Sequence, residues 1–221
     1  MAKKSVWLVA AAVVAALCVG GCTVTVNDSS GSSSSDGSGF SQSDFTEKTE
    51  SFENVSSITV DVVIGDINIS KGDGFSVTCS FPEEYMPSME CTDGNLNVTL
   101  NTSDSISLKD GATATVTITV PEDFKLTDMS LKTSLGSMDL KDLVSENFKA
   151  ETAVGDIVMD YCVFQTVNIE SELGNITGTE IGFDSGTVHA ESGDVSMDGD
   201  FDSIDASTDL GTATVNGKEV E

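Results

Sequence analysis

The sequence predicts an all-β fold, a solenoid-like stack of short strands with a repeat of about 19 residues. A β-sandwich is the alternative that evenly spaced strands also permit. Three observations lead there. From about Ser51 onward apolar and polar residues alternate with period two, rich in Val, Ile and Thr. Gly-Asp and Asp-Gly pairs punctuate the runs. Glycines at 136, 155, 174, 193 and 211 recur at steps of 19, 19, 19 and 18 residues.

The chain opens with Met1-Ala2-Lys3-Lys4, an apolar run from Val6 to Val19, and the small-residue ending Val19-Gly20-Gly21-Cys22. The run is shorter than the roughly 20 residues a membrane-crossing helix needs, so residues 1–21 read as an export signal. The ending resembles the bacterial lipobox. That resemblance implies diacylglyceryl attachment to Cys22 and cleavage before it, with the acyl chains as membrane anchor; an ordinary signal or an uncleaved anchor is the alternative. Residues 22–44, dominated by Ser, Gly and Asp with Phe40 nearly alone as a large apolar residue, predict a flexible tether. Residues 45–221 are left as a single β-repeat domain.

Within that domain, Ile58-Thr-Val-Asp-Val-Val-Ile-Gly65-Asp66-Ile67-Asn-Ile69 is a first repeat unit, standing 71 residues before Gly136. The stretch from about Gly72 to Asp128 departs from the period, yet Gly94 to Leu100 and Ala114 to Val120 alternate as strands. Cys79 and Cys91 flank a short loop there and are the candidate disulfide, leaving Cys162 as a buried thiol; three reduced cysteines are the alternative. Asp139 to Phe148 is helix-compatible, and short enough to be a turn.

The later units share a frame. Two places after each glycine stand Met138, Ile157, Ile176, Val195 and Ala213; five places before stand Leu131, Ala150, Ile169, Val188 and Ala206. Seven places before stand Met129, Phe148, Val167, Gly186 and Ile204, of which Gly186 breaks the column. A unit this small cannot close a core, so successive units must stack. Gly65, Gly136, Gly155, Gly174, Gly193 and Gly211 are expected where the chain turns between two strands, with positive φ, and the adjacent Asp or Asn is expected to hydrogen-bond within the turn. The tail from Asn216 to Glu221 is expected to cap the last unit.

Charge narrows the function. The formal net charge is -27, with 37 acidic residues against 10 basic, all of them Lys. Such a field repels phosphate backbones and no Arg fork is present, which excludes a nucleic-acid partner. No helix-and-Lys context makes the glycines a phosphate loop. His189, the single histidine, lies between two inward positions and is expected as a solvated strand residue; alone it makes no zinc site. Aromatic platforms for sugars reduce to Tyr85 and Tyr161, since the one Trp lies in the signal, and a lyase base would fall to Lys132, Lys141 or Lys149. No catalytic residues are therefore assigned. No cofactor is expected, with calcium the one ion to consider: Asp156, Asn175 and Asp194 share a repeat position, but three aligned oxygens fall short of the roughly six to eight that calcium takes.

The Ile58 to Ile69 string, followed by apolar-Gly-Asp/Asn-apolar units out to Val215 on a lipobox-led chain, resembles the bacterial putative-adhesin domains of the DUF4097 type over about residues 50–217. The resemblance implies a β-solenoid-like domain displayed on the cell envelope, with no catalytic residues to carry over. The expected function is a non-catalytic surface binding or adhesion module of unknown ligand, anchored through Cys22 to the outer face of the cell membrane. The alternatives are a structural or envelope-signalling lipoprotein partnered by an envelope protein and, behind it, a carbohydrate-active enzyme.

Overall fold

The structure, a computed structural model, describes residues 39–220. Sixteen strands follow in chain order: β1 (Phe45–Phe52), β2 (Ser57–Ile64), β3 (Asp66–Gly72), β4 (Phe75–Pro82), β5 (Ser88–Thr92), β6 (Asn95–Leu100), β7 (Thr115–Pro121), β8 (Leu126–Leu135), β9 (Met138–Lys141), β10 (Ser145–Val154), β11 (Ile157–Asp160), β12 (Thr166–Leu173), β13 (Ile176–Ser192), β14 (Val195–Leu210), β15 (Ala213–Val215) and β16 (Lys218–Glu219). Among the described residues the only helical turns are the 3-10 segments Gln42–Asp44 and Glu83–Tyr85. The alternating pattern predicts this, because period two buries one face of a strand and never builds a helical stripe.

Every unit contributes a strand before its glycine and a strand after it, and each kind pairs in parallel with its counterpart in the next unit. Before the glycine the order runs β2, β8, β10, β12 and then the later half of β13. After it, β3, β9, β11 and the first part of β13 do the same. This is the expected solenoid. The gap of 71 residues before Gly136 is explained by register: Ile58 pairs with Met129 and Ile67 with Met138, so the first unit stacks directly on the second. The stretch between them is looped out to extend both strand rows at one end, with β6 and β5 beyond β2, and β7, β4 and β1 beyond β3. Among the described residues, antiparallel pairing is confined to β1–β4, β4–β7 and β5–β6 in this end layer and, at the other end, to the small β15–β16 hairpin.

The core lies between the two strand rows. Two of the columns named from the sequence are buried throughout: Leu131, Ala150, Ile169, Val188 and Ala206, and across from them Met138, Ile157, Ile176, Val195 and Ala213; the third is buried at Met129, Phe148 and Val167 and half-buried at Ile204. Each buried Leu or Ile contributes roughly 2 kcal/mol of apolar transfer. The break at Gly186 has a packing cause. A β-carbon there would lie 2.8 Å from Val167 Cβ and 3.1 Å from Phe183 Cε2, so the Phe183 ring occupies the side chain's place. Phe183 packs on Phe201 with centroids 4.5 Å apart and rings tilted by 41°, and Phe148 stacks on Phe164 at 4.6 Å, filling the second corner of the coil.

Glycine is obligatory at the first corner. All six turn glycines have positive φ, between 128° and 157°. A β-carbon on Gly155 would stand 2.1 Å from the carbonyl oxygen of Gly136, and the same approach recurs from Gly136 on Gly65, Gly174 on Gly155, Gly193 on Gly174 and Gly211 on Gly193. Backbone stacks on backbone, and no side chain fits between.

Three expectations need correction. Asp139 to Phe148 holds neither a helix nor a lone turn: β9 ends at Lys141, Asp142 takes positive φ (57°) at the second corner, and β10 begins at Ser145. The folded part starts before residue 45, since Phe40 bridges Leu108 and sets its ring edge-on to Tyr85 at 5.7 Å. Cys79 and Cys91 stand as thiols, as does Cys162, not as a bridge. The loop between them does not close a hairpin: β4 pairs with β1 and β7, while β5 pairs with β6 in the opposite row. Cys79 Sγ faces Met89 Sδ at 3.7 Å across the core.

Candidate functional site

At the corner, the residues after the glycines form a hydrogen-bonded ladder that runs between units, not within each turn. Asp66 Oδ1 accepts the Ser137 N–H at 2.8 Å, Ser137 Oγ the Asp156 N–H at 3.2 Å, Asp156 Oδ1 the Asn175 N–H at 2.7 Å, Asn175 Oδ1 the Asp194 N–H at 2.8 Å, and Asp194 Oδ1 the Thr212 N–H at 2.8 Å. The corner would otherwise leave one donor per unit unsatisfied, because the strand ladder breaks where the chain turns. In Asp156, Asn175 and Asp194 the Oδ1 atom is thus engaged in the ladder. Among the described residues no group of three or more His, Cys, Asp or Glu side chains converges on a point that could hold a metal ion.

A second column went unread in the sequence. Three places before the glycines, Thr133, Thr152 and Thr208 donate their hydroxyls to the carbonyls of Gly65, Gly136 and Gly193 at 3.2, 3.1 and 2.8 Å. Ser171 reaches Gly155 O at 3.5 Å. Thr133, Thr152 and Ser171 are buried, on the inward side of the strands, which is why the glycine carbonyl needs them. The signal was present as hydroxyls at the repeat spacing, with Val62 and Ala190 the exceptions.

The outer face of the pre-glycine strands carries the surface most suited to a ligand. Strand register brings Lys132, Glu151, Glu170, His189 and Ser207 side by side in one column. Lys132, Glu151, Glu170 and His189, with Glu172 and Glu191, line a concavity of about 370 Å³. Glu151 is the organised member: Lys149 and Lys132 both hydrogen-bond its carboxylate, Lys132 at 2.9 Å, and hold it below the usual carboxylate range. His189 is half-buried, with Nδ1 3.0 Å from Ser207 Oγ, so it is tied into the column and less solvated than its sequence position suggests.

Beside this concavity runs an apolar ridge. Leu135, Val154 and Leu173, each immediately before a turn glycine, are 49%, 43% and 54% exposed and pair in register as neighbours. Leu210 at 72% continues the line beyond Ser192. These residues stand at the corner, where the strand leaves the core before it can bury them, so their exposure follows from the glycine two bonds away.

The candidate bases do not assemble. Lys141 is engaged by Asp139 at 3.0 Å on the post-glycine row, while Lys132 and Lys149 are committed to Glu151 on the other. The buried thiols are inert: desolvation pushes Cys79 up to about 12 and Cys162 up to about 11. Cys22 and the signal lie outside the described residues. No described helix is long and apolar enough to cross a membrane.

A two-row parallel β-solenoid with a capped end, an acidic outer face and an exposed apolar corner defines a repeat protein built around its surface. The chain belongs to the Toastrack DUF4097 family, whose sequence model matches residues 55–219. No curated protein matches it. Among solved structures, it is similar to a putative cell adhesion protein from Clostridium sporogenes, at 14% identity and a TM-score of 0.48, over 77% of this chain and 98% of that one. A putative adhesin from Bacteroides fragilis is similar at 14% identity and 0.41, over 80% and 99%. Another from Parabacteroides distasonis follows at 13% and 0.41, over 77% and 80%.

Proposed function

We propose that this chain is a lipid-anchored, non-catalytic binding module on the outer face of the bacterial cell membrane, and that it takes its ligand on the outer face of the pre-glycine strands. One observation carries the binding reading: a row of exposed Leu135, Val154 and Leu173 borders a concavity lined by Glu170, Glu172 and Glu191. Contiguous apolar surface costs solubility in an exported domain, and persists where a partner covers it. The acidic lining selects a basic or cationic ligand. The anchor reading rests on Lys3-Lys4, the apolar run and Gly20-Gly21-Cys22.

The test is retention of the chain from Cys22 onward, in detergent, on an array of host-matrix proteins, cell-wall polymers and glycans, with and without calcium. Saturable retention is expected, lost in the Leu135→Ser, Val154→Ser, Leu173→Ser triple variant. Absence of retention on every surface overturns the binding reading in favour of an envelope role, and released fragments overturn the non-catalytic one. Radiolabelled palmitate incorporated by the parent chain and absent from Cys22→Ala checks the anchor.

A further inference from the structure

The solenoid ends on an open strand. In β14 the first residues are covered, since Val195, Ser196 and Met197 pair with β15 on the side away from β13. Among the described residues, the strand from Ser203 to Leu210 pairs with β13 alone. The Leu210 carbonyl accepts the Gly193 N–H at 2.9 Å, so the backbone polar groups of Leu210 face inward along the sheet. Strand alternation sends those of Thr208, Ala206 and Ile204 the same way, and leaves those of Asp209, Ser207, Asp205 and Ser203 at the free edge.

The core is also open at this end. Phe164 and Phe183, two units and one unit back, are 3% and 4% exposed, whereas Phe201 and Ile204 are only half-buried. The rung thus offers an unpaired ladder, an unfinished apolar face and, on the outside, exposed Asp202, Asp205 and Asp209.

We infer that this edge is a strand-addition site for an extended segment of another protein, in which apolar residues alternate with Lys or Arg. The geometry is that of a seventh rung: apolar side chains would cover Phe201, Ile204 and Ala206, and basic ones would stand beside Asp205 and Asp209. The molecule already matches charge between neighbouring rungs in this manner, with Lys132 over Glu151 at 2.9 Å and Lys125 over Glu146 at 3.1 Å. A second copy of the chain fits badly. Edge-to-edge pairing about a twofold axis would set the Asp205 and Asp209 rows of two strongly acidic chains against each other, and like charges on paired strands repel. This inference is separate from the proposed ligand surface, whose concavity ends at His189 and Glu191 on β13, one rung before the free edge of β14.

The experiment uses the full chain in detergent and, as probe, a fluorescent peptide of about eight residues alternating valine and lysine. Two comparison peptides have the same composition in blocks, valines then lysines, or replace lysine by glutamate. Anisotropy titration should show binding of the alternating lysine peptide at least tenfold tighter than of either comparison. Asp205→Lys with Asp209→Lys should lose that binding and gain the glutamate peptide. Ser207→Pro removes a free-edge N–H and no backbone bond to β13, and should abolish both; Ser207→Ala, which loses only the contact of Oγ with His189 Nδ1, should keep them, and the two variants should melt together. Should the double reversal unfold, Asp205→Asn with Asp209→Asn serves instead and should weaken the lysine peptide about tenfold. Equal binding of the block peptide, or affinity unmoved by Ser207→Pro, would overturn the inference, as would sedimentation showing a dimer that Ser207→Pro dissociates.

Discussion

At the residue scale the turn glycines are the least replaceable positions in the protein. Two independent penalties fall on the same atom: a φ of 147° at Gly155, which L side chains rarely adopt, and a carbonyl oxygen 2.1 Å from where Cβ would be. Gly155→Ala must therefore push two rungs apart. We expect it to cost roughly 3 kcal/mol or more by urea unfolding, at the upper end of single substitutions. Gly111 separates the two penalties, for it has φ of 82° but nothing within 4 Å of a new β-carbon. Gly111→Ala should cost only about 1 kcal/mol, the conformational part alone. Equal costs at the two sites would mean that stacking does not set the requirement for glycine. The buried hydroxyls offer a second comparison. Thr152→Val leaves Gly136 O without its donor and should cost about 1 kcal/mol, despite keeping the volume.

At the element scale the unit is the corner, and its ladder explains why the residue after glycine carries a short side-chain oxygen: Oδ1 of Asp66, Asp156, Asn175 and Asp194 accepts, and so does Oγ of Ser137. Only the Oδ1 acceptor is used in Asp156, Asn175 and Asp194, so charge is immaterial to the bond. Asp156→Asn should leave stability within about 0.5 kcal/mol of the parent, whereas Asp156→Ala, which orphans the Asn175 N–H, should lose roughly 1 kcal/mol. Millimolar calcium should not shift the melting temperature of either. A calcium-dependent rise lost in Asp156→Ala would show instead that the ladder opens to take a cation. The repeat frame, the inward columns and the positive φ were all legible from spacing, because every rung faces the same packing problem. The direction of the Asp bonds was not. Within one turn and between adjacent turns, the side chain finds an N–H at similar reach, and only the stacking geometry chooses between them. Likewise Leu135, Val154 and Leu173 are apolar letters in a strand, and nothing short of the corner's position tells that they face water.

At the scale of the whole molecule, two rows of strands close on one core, and stability carries the signature of what that core holds. Cys79 and Cys162 bind protons more tightly folded than unfolded, since burial raises them from 9.0 to about 12 and about 11. Their contribution is complete below pH 9 and is lost as pH rises through those folded values, so thermal stability should fall steeply between pH 9 and 12. Replacing both by alanine should flatten that slope while lowering stability at neutral pH, measured as melting temperature against pH. Reductant should leave the melting temperature unchanged, since the cysteines stand as thiols.

The sequence by itself determined the all-β class, the 19-residue frame, the six corner glycines and the buried columns, because these are periodic demands that each unit repeats locally. Only the tertiary structure decided the rest. It stacks the first unit on the second across a 71-residue gap, places Cys79 and Cys91 in opposite strand rows, and leaves the apolar ridge and the last rung open. Each of these depends on which strand lies beside which, a long-range pairing to which no local pattern is tied.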